Sequence, residues 1–188
     1  MTNGLIAQFK RLVPTSPQRP GENAFASDPD SGETNVNVKA TLSPGDLARA
    51  CADAMWRHDD ASRGLGMEIS EVGPGRATLT MTVQPHMVNG QRIAHGGFIF
   101  LLADSTFAFA CNSRNERTVA AQCDITFIKP GKLGDRLVAT AREVSRTGRS
   151  GIYDVRVTVD DTVIAEFRGH SRTVGGAWLP VEGDAEPK

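Results

Sequence analysis

The sequence predicts an α+β fold in which one long apolar helix packs against an antiparallel sheet. Three observations carry this. The run from Phe98 to Cys111 holds a single charged side chain, Asp104, among phenylalanines, leucines, isoleucine and alanines, the composition of a helix buried nearly all round. Four segments follow it: Thr118 to Phe127, Arg136 to Arg146, Gly151 to Val159 and Thr162 to Thr173. Each is rich in Val, Ile, Thr or Phe and set off by turn residues. A shorter helix and two strands precede it, and a six-stranded sheet is large enough to wrap a helix and bury it on one face.

Taken in order, residues 1–40 hold Pro14, Pro17, Pro20 and Pro29 among Gly, Ser, Asn and Asp, a composition that predicts a disordered extension. Within it, Leu5, Ile6, Phe9, Leu12 and Val13 allow a transient amphipathic patch. The folded domain is expected over 41–176. Ser43-Pro44-Gly45-Asp46 opens a helix, with Ser43 as cap, Pro44 at the first helical position and Asp46 at the positive end. Leu47, Ala50, Ala54 and Met55 supply its apolar face, and the charged stretch Arg57 to Arg63 with Gly64 and Gly66 ends it.

Met67 to Val72 reads as a strand, Gly73-Pro74-Gly75 as a turn, and the alternating Arg76 to Val83 as a second strand. After the central helix, Lys129-Pro130-Gly131-Lys132, Arg146-Thr147-Gly148-Arg149 and Asp160-Asp161 are connections short enough to predict antiparallel neighbours. From Gly175 onward Gly, Pro and charge predict fraying, with a flexible tail over 177–188. No internal repeat is present.

Composition narrows the function. A chain of 188 residues, 39% apolar and with a net charge of −1, fits one domain with tails, and its scattered basic residues argue against nucleic acid as partner. Cys51, Cys111 and Cys123 cannot all pair and lack metal-ligand spacing, so free thiols, no metal site and a cytoplasmic location are expected. No apolar run is long enough to span a membrane, and none resembles a secretory signal.

The stretch Asn89-Gly-Gln-Arg-Ile-Ala-His-Gly-Gly leads into the central helix. Its glycines let the backbone approach a ligand closely, and the first amides of the helix face outward as donors for an anion or a polarised carbonyl oxygen. Asp104 lies seven residues beyond Gly97, on the same helix face but about 10 Å along the axis. One helix cannot bring both groups to one atom. A site using both therefore takes them from two copies of the chain, which predicts a homodimer with shared sites.

The residues Asn89-Gly90, His95-Gly96-Gly97, Leu102-Ala103-Asp104, Ala110-Cys111-Asn112-Ser113, Lys129-Pro130-Gly131, Gly134-Asp135, Tyr153-Asp154 and Phe167-Arg168-Gly169 resemble the hotdog-fold acyl-CoA thioesterases, within them the PaaI-type thioesterases of phenylacetic acid degradation. The likeness covers about residues 45–176. It implies a central helix wrapped by an antiparallel sheet, a dimer with two sites at its interface, often paired into a homotetramer, and no cofactor apart from the coenzyme A of the substrate.

It also implies roles. Asp104 would attack the thioester or activate water, the Gly97 amide would polarise the carbonyl, and Asn89 and His95 would shape or hydrogen-bond the same pocket, with Gly96 making room. The bland readings are a buried Asp104 satisfied by Ser105, Thr106 or a backbone donor, a structural His95, and an Asn89 that only turns the chain. Lys129, Arg146 and Arg149, at turns or strand ends, are candidate contacts for coenzyme A phosphates, and Lys132, Arg136 and Arg172 weaker ones; each also suits a solvated surface. The resemblance implies hydrolysis of phenylacetyl-CoA or hydroxyphenylacetyl-CoA to free acid and coenzyme A. Alternatives are a hotdog enoyl-CoA hydratase or dehydratase and a non-catalytic acyl-CoA sensor.

Overall fold

The computed structural model of the protein is described over residues 42–180, so the expectations for 1–40 and for 181–188 lie outside the described residues. Helix α1 (Pro44–Trp56) starts as its sequence requires: Ser43 Oγ accepts the Asp46 amide at 3.1 Å. It buries Leu47, Ala48, Cys51, Ala52 and Ala54. The charged stretch after it is not all loop. Asp59 caps a one-turn helix, α2 (Asp60–Gly64), too short to leave an apolar period in the sequence.

Strands β1 (Glu68–Gly73) and β2 (Arg76–Thr82) form a hairpin, and a 3₁₀ turn (Pro85–Met87) leads to the central helix α3 (Gly96–Cys111). Strands β3 (Thr118–Phe127), β4 (Arg136–Thr147), β5 (Ser150–Val159) and β6 (Thr162–Thr173) complete one antiparallel sheet in the order β1-β2-β4-β5-β6-β3.

That order corrects one expectation. The connections at 146–149 and 160–161 do join neighbours, but β3 lies beside β6 and not β4, so the 128–135 segment crosses the end of the sheet. Lys129 donates its amide to Ile164 O and Ala94 donates to Gly131 O, which fastens the crossing to the sheet end and to the loop before α3. A Pro-Gly pair marks a turn in the chain but carries no information about which strands it joins.

The sheet curls round α3. Leu102, Ala103, Thr106, Phe107, Phe109 and Ala110 are fully buried against it, and Phe107 stacks edge-on to Tyr153 with centroids 5.4 Å apart. Gly169 on β6 lets the helix come this close, because a Cβ there would stand 2.9 Å from the Phe107 ring. The helix is not covered all round, however. Phe98, Leu101, Asp104, Ser105 and Ala108 form a half-buried stripe at helical spacing, the face one sheet leaves open.

Beyond Gly175, where the sequence predicts fraying, the described residues are hydrogen-bonded to the domain. Asn115 Oδ1 accepts the amides of Trp178 and Leu179, both at 2.9 Å, and Asn112 Oδ1 accepts the Trp178 indole N–H at 2.7 Å. Arg117 stacks over the Trp178 ring at 4.8 Å. Two buried asparagines thus hold residues 178 and 179, a tie between groups more than sixty positions apart.

Candidate active site

The loop from Asn89 to His95 is shaped by its own hydrogen bonds. Asn89 Oδ1 accepts the amides of Gln91 at 2.9 Å and Ile93 at 3.3 Å, an Asx turn that leaves its side-chain amide nitrogen unused by the loop. Ala94 is pinned to Gly131, and His95 donates its amide to Met87 O at 2.8 Å. These bonds hold the start of α3 in place.

His95 caps that helix. Its Nδ1 accepts the Gly97 amide at 2.9 Å, which leaves Nε2 as the ring nitrogen not engaged by the helix start. The donor expected to face a carbonyl oxygen is therefore engaged by a side chain. His95 is exposed, and its ring packs edge-on against Phe98 with 6.2 Å between centroids.

Beside the helix start lies a cleft of about 510 Å³ lined by Asn89, Gly96, Ile99, Phe127, Ile128 and Lys129 among others. The structure thus brings three sequence candidates, Asn89, Gly96 and Lys129, round one space. Phe127 was not among them, and it forms the wall: its ring covers Gly96 so closely that a Cβ there would stand 2.8 Å from Cζ. A second and larger concavity, about 600 Å³, sits on the outer sheet face among Arg142, Asp154, Arg156 and Glu166. Three of those charges are paired, Arg156 with Glu166 and Asp154 with Arg168, and none belongs to the candidate set.

Asp104 is half-buried two turns along α3, and burial raises its carboxyl above the usual carboxylate range. Neither Ser105 nor Thr106 satisfies it. Ser105 Oγ meets Ser62 Oγ at 2.9 Å, and Thr106 donates to Leu102 O. Its side-chain partner is the Cys123 thiol on β3, with Sγ 3.7 Å from Oδ1. The sequence reading missed Cys123 as a site residue, although it falls in step with Ile125 and Phe127 along an alternating strand.

Arg146 and Arg149 stand apart. Arg146 pairs with Glu116, and Arg149 donates Nε to Thr173 O at 2.9 Å. Thr173 ends β6 whereas Ile164, which holds Lys129, begins it, a separation of about 30 Å at the rise of a strand. Within one protomer these arginines do not meet the cleft. Among the described residues no three His, Cys, Asp or Glu side chains converge as metal ligands do, and no helix is long and apolar enough to cross a membrane.

The family model described as Thioesterase superfamily matches residues 91–166. The chain is 42% identical over 126 residues to the acyl-coenzyme A thioesterase PaaI of Escherichia coli K12, covering 66% of this chain and 90% of that protein. The solved E. coli PaaI protein from the phenylacetic acid degradation operon superposes with a TM-score of 0.71 at 40% identity, covering 72% of this chain and 99% of that one. A Streptococcus mutans UA159 protein solved with acetyl-CoA bound superposes with a TM-score of 0.57 at 28% identity, covering 59% and 90%. Sequence likeness at this level and length, with the fold and the helix-borne acid already described, makes this chain a member of the hotdog-fold acyl-CoA thioesterases of the PaaI type, hydrolases of the thioester bond.

Proposed function

We propose that the protein hydrolyses phenylacetyl-CoA or hydroxyphenylacetyl-CoA to the free acid and coenzyme A in phenylacetate catabolism. The observation that carries this is Asp104: a half-buried carboxyl on the uncovered stripe of α3, bonded by a thiol and, among the described residues, by no cation. Such a group is poised as a base rather than tied up as a structural ion. The apolar wall of Phe127, Ile128 and Ile99 beside the helix start suits an aromatic acyl group, and the PaaI relative's operon supports the pathway.

In this reading Asp104 either attacks the thioester carbon and expels the thiolate, leaving a mixed anhydride that water then hydrolyses, or takes a proton from a water that attacks the carbon. In both, one water supplies the acid's oxygen and the thiol's proton. The His95 ring gives up the Gly97 amide, which then donates to the carbonyl oxygen as negative charge develops there, Gly96 gives the acyl group room, and coenzyme A leaves as the thiol. Asn89 offers its free side-chain amide, and Lys129 meets the phosphates.

The site is completed by a second copy. Gly97 and Asp104 lie about 10 Å apart along one helix, and β3 is an edge strand with Val119 and Phe127 half exposed. Antiparallel pairing of two β3 edges covers the open stripe of α3 and brings each Arg149 end of the sheet toward the partner's Lys129 end. We place the resulting homodimer, and a homotetramer built from it, in the cytoplasm, a compartment that the three unpaired thiols suit. Thiol release across a panel of CoA esters, with light scattering on the same preparation, tests both parts. A best specificity constant for long-chain esters removes the substrate assignment, and full activity in a monomer removes the shared site.

A further inference from the structure

The face of β3 beneath Asp104 departs from a regular strand. Strands alternate their faces, so a regular β3 continuing the phase of Thr118 and Ala120 turns Gln122 and Asp124 toward α3. The structure does otherwise. Ala120 pairs with Ser171 and Gln122 with His170, so Ala121 is one extra residue and the strand bulges. Beyond the bulge Cys123 pairs with Gly169, Ile125 with Phe167 and Phe127 with Ala165, all facing the helix, while Gln122, Asp124 and Thr126 are exposed. One inserted residue therefore exchanges an acid for a thiol beneath Asp104.

The thiol it aims is well placed. Cys123 Sγ donates to Asp104 Oδ1 across 3.7 Å, the side-chain contact that this carboxylate makes among the described residues. Gly169 opposite it adds no side chain to the space. We propose that Cys123 is a positioning residue for Asp104, aimed by the Ala121 bulge: its S–H holds the carboxylate in the orientation that faces substrate. This rests on the reading of Asp104 as the reacting acid.

The chemistry of the pair agrees. Burial and the neighbouring Asp104 push the Cys123 thiol up to about 11, so it keeps its proton and acts as donor, not nucleophile. Burial raises Asp104 and the thiol's hydrogen bond partly offsets this. The other titratable groups of the cluster are Cys111 on the same helix, pushed up to about 12, and Asp124 on the outer face of β3. Ser62 of α2 and Ser105 are uncharged and bond to each other.

The test compares Cys123→Ala, Cys123→Ser and Asp104→Asn by pH-rate profiles on one CoA ester, with melting temperature and oligomeric state checked for each. Activity appears as Asp104 loses its proton, so removing the donor leaves burial unopposed and moves the acid limb to higher pH. Cys123→Ala is expected to show that shift with kcat lowered about fivefold and KM little changed, the worth of one weak hydrogen bond. Cys123→Ser keeps an O–H donor and is expected to restore the limb and most of kcat.

An alanine variant with the wild-type limb and turnover, or a serine variant shifted as far as alanine, overturns the proposal. Asp104→Asn separates the two levels. Full turnover there removes the acid from the mechanism, whereas lost turnover there with an unshifted Cys123→Ala removes Cys123 alone.

Discussion

His95 Nδ1 accepts the Gly97 amide at 2.9 Å, so the residue that precedes the central helix also caps it. A side-chain cap is worth about 1 kcal/mol. His95→Ala should lose that much in urea unfolding while keeping turnover within about tenfold, since the amide it frees remains available to a carbonyl oxygen. A loss as deep as that of Asp104→Asn would instead make His95 a proton carrier.

Gly96 and Gly97 should respond differently to a methyl group. At Gly96 a Cβ meets the Phe127 ring at 2.8 Å, and at Gly97 it meets the exposed His95 ring at 3.2 Å. Gly96→Ala forces Phe127 aside and reshapes the cleft, so KM for the CoA ester should rise about tenfold, the kinetic equivalent of modest overpacking. Gly97→Ala should change KM less. Equal effects would mean that Phe127 does not form the acyl wall.

Replacing Asp104 by Asn should lower thioester hydrolysis at least about a hundredfold. It should also stabilise the fold at neutral pH, and the sign follows from burial. The folded protein holds the Asp104 proton more tightly than the unfolded chain, so ionising the group costs stability as pH rises from the ordinary aspartate value of 3.8 through the raised one. The asparagine variant escapes that loss. Its melting temperature should exceed the wild type's at pH 7, and the gap should close as pH falls toward 3.8; a gap independent of pH would place its origin elsewhere.

Asn112 is 2% exposed and ties three segments together: Nδ2 donates to Ala108 O and Thr118 O, and Oδ1 accepts from the Thr118 amide and the Trp178 indole. Asn112→Ala leaves buried partners unsatisfied and should cost about 3 kcal/mol. Trp178 fluorescence should shift to the red as residues 177–179 loosen. A variant within about 0.5 kcal/mol of wild type would show that water replaces these bonds, since buried orphans otherwise cost more.

The elements were legible because their signals are local. The apolar run of α3 and the alternation in β2 and the four late strands gave boundaries that the structure keeps within a residue or two. Helix α2 was not legible, since one turn of charged residues shows no period. The grouping of Asn89, Gly96 and Lys129 could be anticipated from the family motif, but Phe127 as the wall over Gly96 could not, because it depends on how β3 crosses the helix start.

The amino-acid order alone determined that a carboxyl sits two turns into an apolar helix behind a pair of glycines, because helical spacing is set by neighbours along the chain. Strand order, the neighbour of β3, the docking of Trp178 and the meeting of Asp104 with Cys123 were decided only in three dimensions. Each joins residues far apart in sequence, where the outcome rests on packing and on a single bulged residue rather than on any local preference.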